Sequence, residues 1–525
     1  MDTKALRQKI LDLAIRGKLV PQNPNDEPAS VLLERIRAEK QQMVKDGKLK
    51  AKDIKNDTVI FLGDDNLHYE KFPDGTVKCI EDEIPFELPE GWEWTRLQAI
   101  CEPITDGTHK TPTYSDEGFI FLSSKNVTSG HIDWDNIMYI PESLHNELYA
   151  RLAPQKNDIL LAKNGTTGVA AIVDRDCIFD IYVSLALLRI IGYIISPEYL
   201  LSTIASSTIQ NYFNSSLKGI GVPNLHLEHI RTTLIPVAPI NEQYRIATKL
   251  EQLLSFADNI ESDKTDLQTT IQLTKSKILD LAIRGKLVPQ NPDDEPASVL
   301  LERIRAEKEE LIKQGKIKRD KKKSVIFRGD DNSYYLRMGN LIETLDDWRI
   351  NDIPYSWGIC CLGEVCDYGN CTNVDTKDIP KTAWILDLED IEKDTGKVSQ
   401  KLTLKERNSA STKHSFHKGQ VLYSKLRPYL NKVVLVDDDG YCTSEILPLD
   451  FNKYILPEYA KYYLMSPTFL RYANHCSYGV KMPRLGTLDG RKAVLIVPPV
   501  NEQKRIADKV SQLFSLLDSI ADNVN

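Results

Sequence analysis

Residues Lys9–Lys40 read KILDLAIRGKLVPQNPNDEPASVLLERIRAEK, and residues Lys277–Lys308 repeat them with one difference, Asn25 against Asp293. The offset of 268 residues is far beyond the 20–50 of a solenoid unit and fits tandem duplication of half a molecule. The likeness continues more weakly through Val59–Asn66 (VIFLGDDN) and Val325–Asn332 (VIFRGDDN). A second pair of blocks, PINEQYRIATKLEQLL from Pro239 and PVNEQKRIADKVSQLF from Pro499, is offset by 260. A chain built this way is constrained to one fold used twice.

Between the shared blocks lie two segments, 80–238 and 345–498, that match only at framework positions. Pro89, Trp92, Leu97 and Cys101 line up with Pro354, Trp357, Leu362 and Cys366. Pro197-Glu198-Tyr199 lines up with Pro457-Glu458-Tyr459, and Gly219, Pro223 and Leu225 with Gly479, Pro483 and Leu485. Similar frames carrying different surfaces imply that each module reads something different. The connectors, in turn, are expected to meet two copies of one partner.

The connectors read as helices. From Ile246 the apolar positions run Leu250, Leu253, Ala257, Ile260, Leu267, Ile271, Ile278 and Leu281, a 4-3-4-3 spacing with Lys264 and Thr274 at the interrupted seam positions. No Gly or Pro falls between Asn241 and Arg284, and Gly285 sits where a C-terminal stop belongs. Some 40 residues of helix would span about 60 Å. Ile506, Val510, Leu513, Leu517 and Ile520 repeat the spacing at the C-terminus, and Leu6, Ile10 and Leu13 supply the same phase at the N-terminus. Bringing the two ends together would rebuild a second connector, and the two would pair antiparallel about a pseudo-twofold axis. The alternative is that each helix packs on its own module.

After each AIRGKL, a Pro-bounded stretch leads into VLLERIRAEK, where Pro28 and Pro296 suit a first helical turn. Leu32, Leu33 and Ile36, with Leu300, Leu301 and Ile304 in the second copy, form an apolar face on a short returning helix. A docking surface for a second protein, present twice, is the preferred reading of these six residues. A recent gene event is the other.

Chemistry of its own is not expected. No phosphate-binding G-x-x-x-x-G-K-[ST], nucleophile-elbow G-x-S-x-G or zinc-binding H-E-x-x-H occurs. An amino-methyltransferase would need an Asn/Asp-Pro-Pro-aromatic loop, and Asn23-Pro24-Asn25 and Asn291-Pro292-Asp293 do not qualify. Cys360, Cys361, Cys366 and Cys371 cluster but lack a paired C-x-x-C half, so buried thiols are expected and no metal. Nine irregularly spaced cysteines and the absence of a secretory h-region predict a cytoplasmic protein. The most apolar run, Ile181–Ile195, is too short for a membrane span and contains Arg189.

With LDLAIRGKLVPQ and NEQ-x-RIA blocks flanking two unlike modules, the whole chain resembles the specificity subunit of type I restriction–modification systems. The resemblance implies an α+β fold with two mixed α/β target recognition domains separated by long antiparallel coiled-coil helices. On it, 1–50, 239–315 and 499–525 are the conserved helical regions, and 80–238 and 345–498 are the recognition domains. The implied function is reading a bipartite, asymmetric double-stranded DNA target with the coiled coil as ruler. Changing the length of that coil would change the spacer and leave the half-sites alone. Two methyltransferase subunits using S-adenosylmethionine would methylate adenine, and two translocase–nuclease subunits using ATP and Mg²⁺ would join for restriction. This chain would bind none of those cofactors.

Duplex binding needs cations for phosphates and hydrogen-bonding side chains for base edges. The second module has a basic and aromatic stretch from Lys405 to Lys432, within which Lys413, Lys425, Arg427, Tyr429 and Lys432 are candidates. The loop YSKLRPYLNK is similar to one in the family's recognition domains. Tyr478, Lys481 and Arg484 form a second group. In the first module the counterparts are Thr108, His109 and Lys110; Ser124, Lys125 and Asn126; Lys163, Asn164 and Thr166; and Lys218 with Asn224. The Lys163 loop aligns with the Lys425 loop, and 218–224 with 478–484.

The net charge of −8 leans against nucleic acid, but unevenly. Residues 85–235 hold 10 Lys+Arg against 17 Asp+Glu, whereas 345–495 is near balance. A patch, not an average, binds phosphate. Rival readings are a specificity subunit with a fused methyltransferase–nuclease partner, a non-enzymatic coiled-coil scaffold that binds protein, and a nuclease with an unfamiliar active site.

Overall fold

The computed structural model describes residues 2–524 apart from 129, 218–222, 317–323, 332, 346–352, 408 and 452. The chain forms two compact units, Met1–Asp263 and Lys264–Asn525, each with its own core. Among the described residues no helix is long and apolar enough to cross a membrane.

The first unit begins with helix Thr3–Ile15, whose first turn is capped by Asp2 accepting from the Ala5 N–H at 3.0 Å. The chain then turns at Gly17, where φ is +63° and a Cβ would lie 2.5 Å from Pro89 Cγ, so glycine is required twice over. Gly285 repeats the turn in the second unit at φ +67° against Pro354. A returning helix, Ala29–Lys45, and an antiparallel meander of Val59–Leu62, His68–Lys71 and Val77–Cys79 follow. Strand Glu93–Arg96 pairs antiparallel with Leu234–Val237 and so closes the module. Inside it, Thr105–Asp106, Leu185–Leu188, Ile159–Ala162 and Ala170–Ile172 lie side by side in that order. Ile159–Ala162 and Leu185–Leu188 are buried at every position, the mark of strands covered on both faces. A second sheet sets Phe119–Leu122 between Phe179–Ile181 and Met138–Ile140.

The second unit repeats the plan. Helix Ala297–Lys313 and the meander Ser324–Arg328, Tyr334–Met338 and Leu341–Thr344 lead to Gly358–Cys361, paired with Val494–Val497. Its module holds a five-stranded sheet and a three-stranded one in which Val421–Ser424 is central. Cys360, Cys361 and Cys366 are buried in this unit, and desolvation pushes the Cys360 and Cys366 thiols well above their usual range.

One helix, Ile240–Ile283, contributes to both units, and its 44 residues correspond to about 66 Å. In the first unit the N-terminal helix runs antiparallel to it, with Arg7 paired to Asp258 and Glu261. In the second unit helix Val500–Val524 does the same, with Lys275 paired to Asp518 and its ammonium 5.3 Å from the Phe514 ring centroid. The predicted seam is buried at its ends, at Ile246, Leu250, Ala257, Ile271, Ile278, Ile506 and Val510. Leu253, Ile260, Leu267, Leu281, Leu513 and Leu517 are only half-buried. Ile520 departs from the expectation at 47% exposure, while Phe514, off the predicted seam, is buried under the Lys275 ammonium.

The shared blocks have an internal reason to be alike. In the first unit Arg245 and Asn241 hold Asp26, Glu242 accepts from the Trp92 indole N–H at 3.1 Å, and Gln243 bridges the Ser196 N–H and the Ala238 carbonyl. In the second, Arg505 and Asn501 hold Asp294, Glu502 accepts from Trp357 at 2.9 Å, and Gln503 bridges the Leu456 N–H and the Pro498 carbonyl. The arginines hold both aspartates below the usual carboxylate range, while burial pushes Glu242 and Glu502 up. NEQ-x-R is therefore a fastening between connector and module.

Gln243 is fully buried, so replacing it with leucine strands an N–H and a carbonyl without a partner. A loss of about 2–3 kcal/mol is expected. Calorimetry should show the first unit melting roughly 4–12 °C lower and the second unmoved.

The returning helices correct the docking expectation. Leu32, Ile36, Leu300, Leu301 and Ile304 are buried, and Leu33 packs half-buried against the first core. This face covers the helix's own module and offers nothing to a second protein. A short amphipathic pattern shows that a face is covered, but not by what.

Candidate nucleic-acid interface

In the first module four separate stretches of sequence converge. Asp106, at the edge of the four-stranded sheet, pairs with Lys163 and accepts from His109 Nε2 at 3.1 Å. Thr108 is joined to the neighbouring strand by its N–H to the Ile181 carbonyl, 3.1 Å, and by the Val183 N–H to its own carbonyl, 3.0 Å. The Ser124 N–H donates to Ser184 Oγ at 2.9 Å, and Ser124 Oγ lies 3.5 Å from Asn164 Oδ1. Asn164 bridges to Asn224, and the Leu225 N–H reaches the Lys163 carbonyl at 2.8 Å. Thr166 is half-buried in the same loop. Lys218 lies outside the described residues.

The second module brings its two groups together in the same manner. Leu426 bridges to Arg484, and the Leu485 N–H reaches the Lys425 carbonyl at 3.0 Å. Ser477–Tyr478 and Arg484–Leu485 form a small hairpin beside the loop, and the Arg427 N–H donates to the Pro483 carbonyl at 2.7 Å. Tyr429 and Tyr478 are 47% and 62% exposed, and Arg427 and Lys481 are exposed as well. Val480 and Met482 are exposed at the hairpin tip.

Geometry divides the candidate cations into two kinds. Lys163 is buried against Asp106 and Lys413 against Asp387, so neither points at a ligand, contrary to the expectation. Asn126 is also buried, capping its own turn through the Ser123 N–H and donating to the Asp133 and Asn136 carbonyls. Lys432 donates to the Leu388 carbonyl at 2.6 Å, and burial lowers its pKa. Arg484 grips Glu445 at 2.8 and 3.1 Å and holds that carboxyl below its usual range. Lys110, Lys125, Lys425, Arg427 and Lys481 remain, with no side-chain ion pair among the described residues, and all but the half-buried Lys425 are exposed. Nor is any group of three or more His, Cys, Asp or Glu among the described residues placed to hold a metal ion.

Residues 89–268 and 354–524 match the family described as the type I restriction modification DNA specificity domain. The chain belongs to this family. Type I specificity subunits from Escherichia coli are among its relatives. It is 31% identical to the EcoAI subunit over 70% of this chain and 63% of that one, so it spans somewhat under two thirds of that relative. It is 25% identical to the EcoEI subunit over 98% of this chain and 90% of that one. Among solved structures, a chain from a study of complex assembly and conformational transition of the type I R-M system shares the fold. Its TM-score is 0.53 at 17% identity, covering 84% of this chain and 94% of that one. Each of the two family matches holds one of the converging loop clusters.

Sequence reasoning found these loops and the alignment between them. It missed the carboxylates that neutralise several cations, because Asp106 is 57 residues from Lys163 and Asp387 is 26 from Lys413.

Proposed function

We propose that the two loop clusters bind double-stranded DNA, each reading one half of a bipartite, asymmetric target. Segments 80–238 and 345–498 act as the recognition domains, and 1–50, 239–315 and 499–525 as the framework that spaces them. The single observation that carries this reading is a shared loop frame with unlike side chains. Lys163–Thr166 with Asn224, and Lys425–Tyr429 with Tyr478–Arg484, hang on the same backbone hydrogen bonds. The helices that run antiparallel along Ile240–Ile283 support a coiled-coil ruler between the domains.

In this reading two methyltransferase subunits supply S-adenosylmethionine chemistry on adenine, and translocase–nuclease subunits supply ATP- and Mg²⁺-dependent restriction. The free cations are few, so this chain alone grips DNA modestly and its partners close around the duplex. Co-purification with the products of neighbouring genes, followed by mapping of methylated adenines, tests the proposal. Two short conserved half-sites separated by a fixed spacer are expected. A continuous methylated motif, or none, overturns it.

A further inference from the structure

Loops 163–168 and 425–431 occupy one position in the two modules. Each is closed by a strand hydrogen bond at its base, Ala162 N–H to Val169 carbonyl at 2.8 Å and Ser424 N–H to Lys432 carbonyl at 3.0 Å. Each is tied to the module's last loop through the carbonyl of its lysine and through the residue after it. The third residue is left-handed in both, Gly165 at φ +75° and Arg427 at φ +49°. So is the last, Gly168 at φ +87° and Asn431 at φ +48°. The loops differ by one residue in length and share only their first residue, lysine; at the left-handed third position one has glycine and the other arginine.

A left-handed backbone suits glycine and is unfavourable for a residue with a Cβ. The second module nonetheless places arginine there, exposed and without a side-chain partner among the described residues. Two kinds of DNA contact could call for it. Phosphates are the same under both modules, so a phosphate clamp at this position should recur in both. A base contact need appear only where the sequence being read demands it. Lysine recurs at the first position of each loop, turned onto Asp106 in the first module and half-buried without an ion pair among the described residues in the second, whereas the cation at the third is present in one loop and absent from the other. The planar guanidinium matches guanine O6 and N7 in the major groove with two parallel hydrogen bonds.

We infer that Arg427 is a specificity-determining residue that reads a guanine in the half-site of the second module, and that Gly165 leaves the corresponding base pair of the first half-site without such a contact. This inference rests on the DNA-binding reading.

The test uses the chain assembled with its methyltransferase subunits, against a duplex panel in which every base pair of both half-sites is varied. Arg427→Gly keeps the left-handed turn without strain, and its melting temperature serves as the folding control. For the unsubstituted chain, one position of the second half-site should favour G·C by roughly 5- to 150-fold. Arg427→Gly should lose that preference and no other, and Arg427→Lys should lose it while keeping the overall affinity. The inference is overturned if Arg427→Gly weakens all duplexes alike and lowers the salt slope by about one, the mark of a phosphate contact. It is equally overturned if no affinity changes. If the unsubstituted chain shows no preference at any position, the DNA-binding reading itself fails.

Discussion

Replacing Lys110, Lys125, Lys425 and Lys481 together by alanine is expected to lower DNA affinity about 10³- to 10⁴-fold at ~0.1 M salt. Each lysine that neutralises a phosphate releases close to one counterion, so the slope of log affinity against log salt should fall by between three and four. Three of the four are exposed and none has a side-chain ion pair among the described residues, so the fold should not suffer. Titrations at several salt concentrations, with a thermal melt as control, measure both quantities. An unchanged slope would show that phosphates are held elsewhere. Among the competing readings, a protein-binding scaffold predicts no salt-dependent DNA affinity at all.

Lys163→Ala is expected to act on stability before it acts on DNA. The Lys163 and Asp106 side chains are each 7% exposed, and removing the lysine leaves a buried carboxylate whose remaining side-chain partner is His109. Breaking such a pair costs about 3–5 kcal/mol. For a unit of this size that is a fall of roughly 6–20 °C in melting temperature. The double replacement Lys163→Met with Asp106→Leu should recover most of the loss, since two apolar side chains need no partner. If instead Lys163→Ala melts normally and only binds DNA more weakly, the lysine is a phosphate contact that the free protein stores against Asp106.

These two predictions separate what was legible in the sequence from what was not. Duplication, helical connectors and the module frame at Trp92 and Trp357 all lie in patterns of apolar residues and repeats, which sequence displays directly. The pairing of the Lys163 and Lys425 loops was equally visible, because Pro223, Leu225, Pro483 and Leu485 keep the register around them. Charge was harder. A lysine in a loop looks the same whether it faces solvent or an aspartate brought back by folding, and Lys163 and Lys413 proved to be of the second kind. Leu300, Leu301 and Ile304 show the converse: an apolar stripe on a short helix looks like a docking surface in sequence, and its own module covers it. Near-identity of the connectors suggests, from sequence alone, a shared partner. The contacts of Asp26, Trp92 and Gln243, repeated at Asp294, Trp357 and Gln503, supply a cause inside the molecule.

In the proposed reading, those contacts would make the two recognition segments interchangeable parts. Each module meets its connector through one indole and one glutamine bridge, and the complementary groups on the two connectors are the same residues, Glu242 with Gln243 and Glu502 with Gln503. A segment cut from one seat would find the same socket at the other. Stability is thus vested in the frame and meaning in the insert, so a single exchange of genetic material could give the chain a new vocabulary without asking it to learn again how to fold.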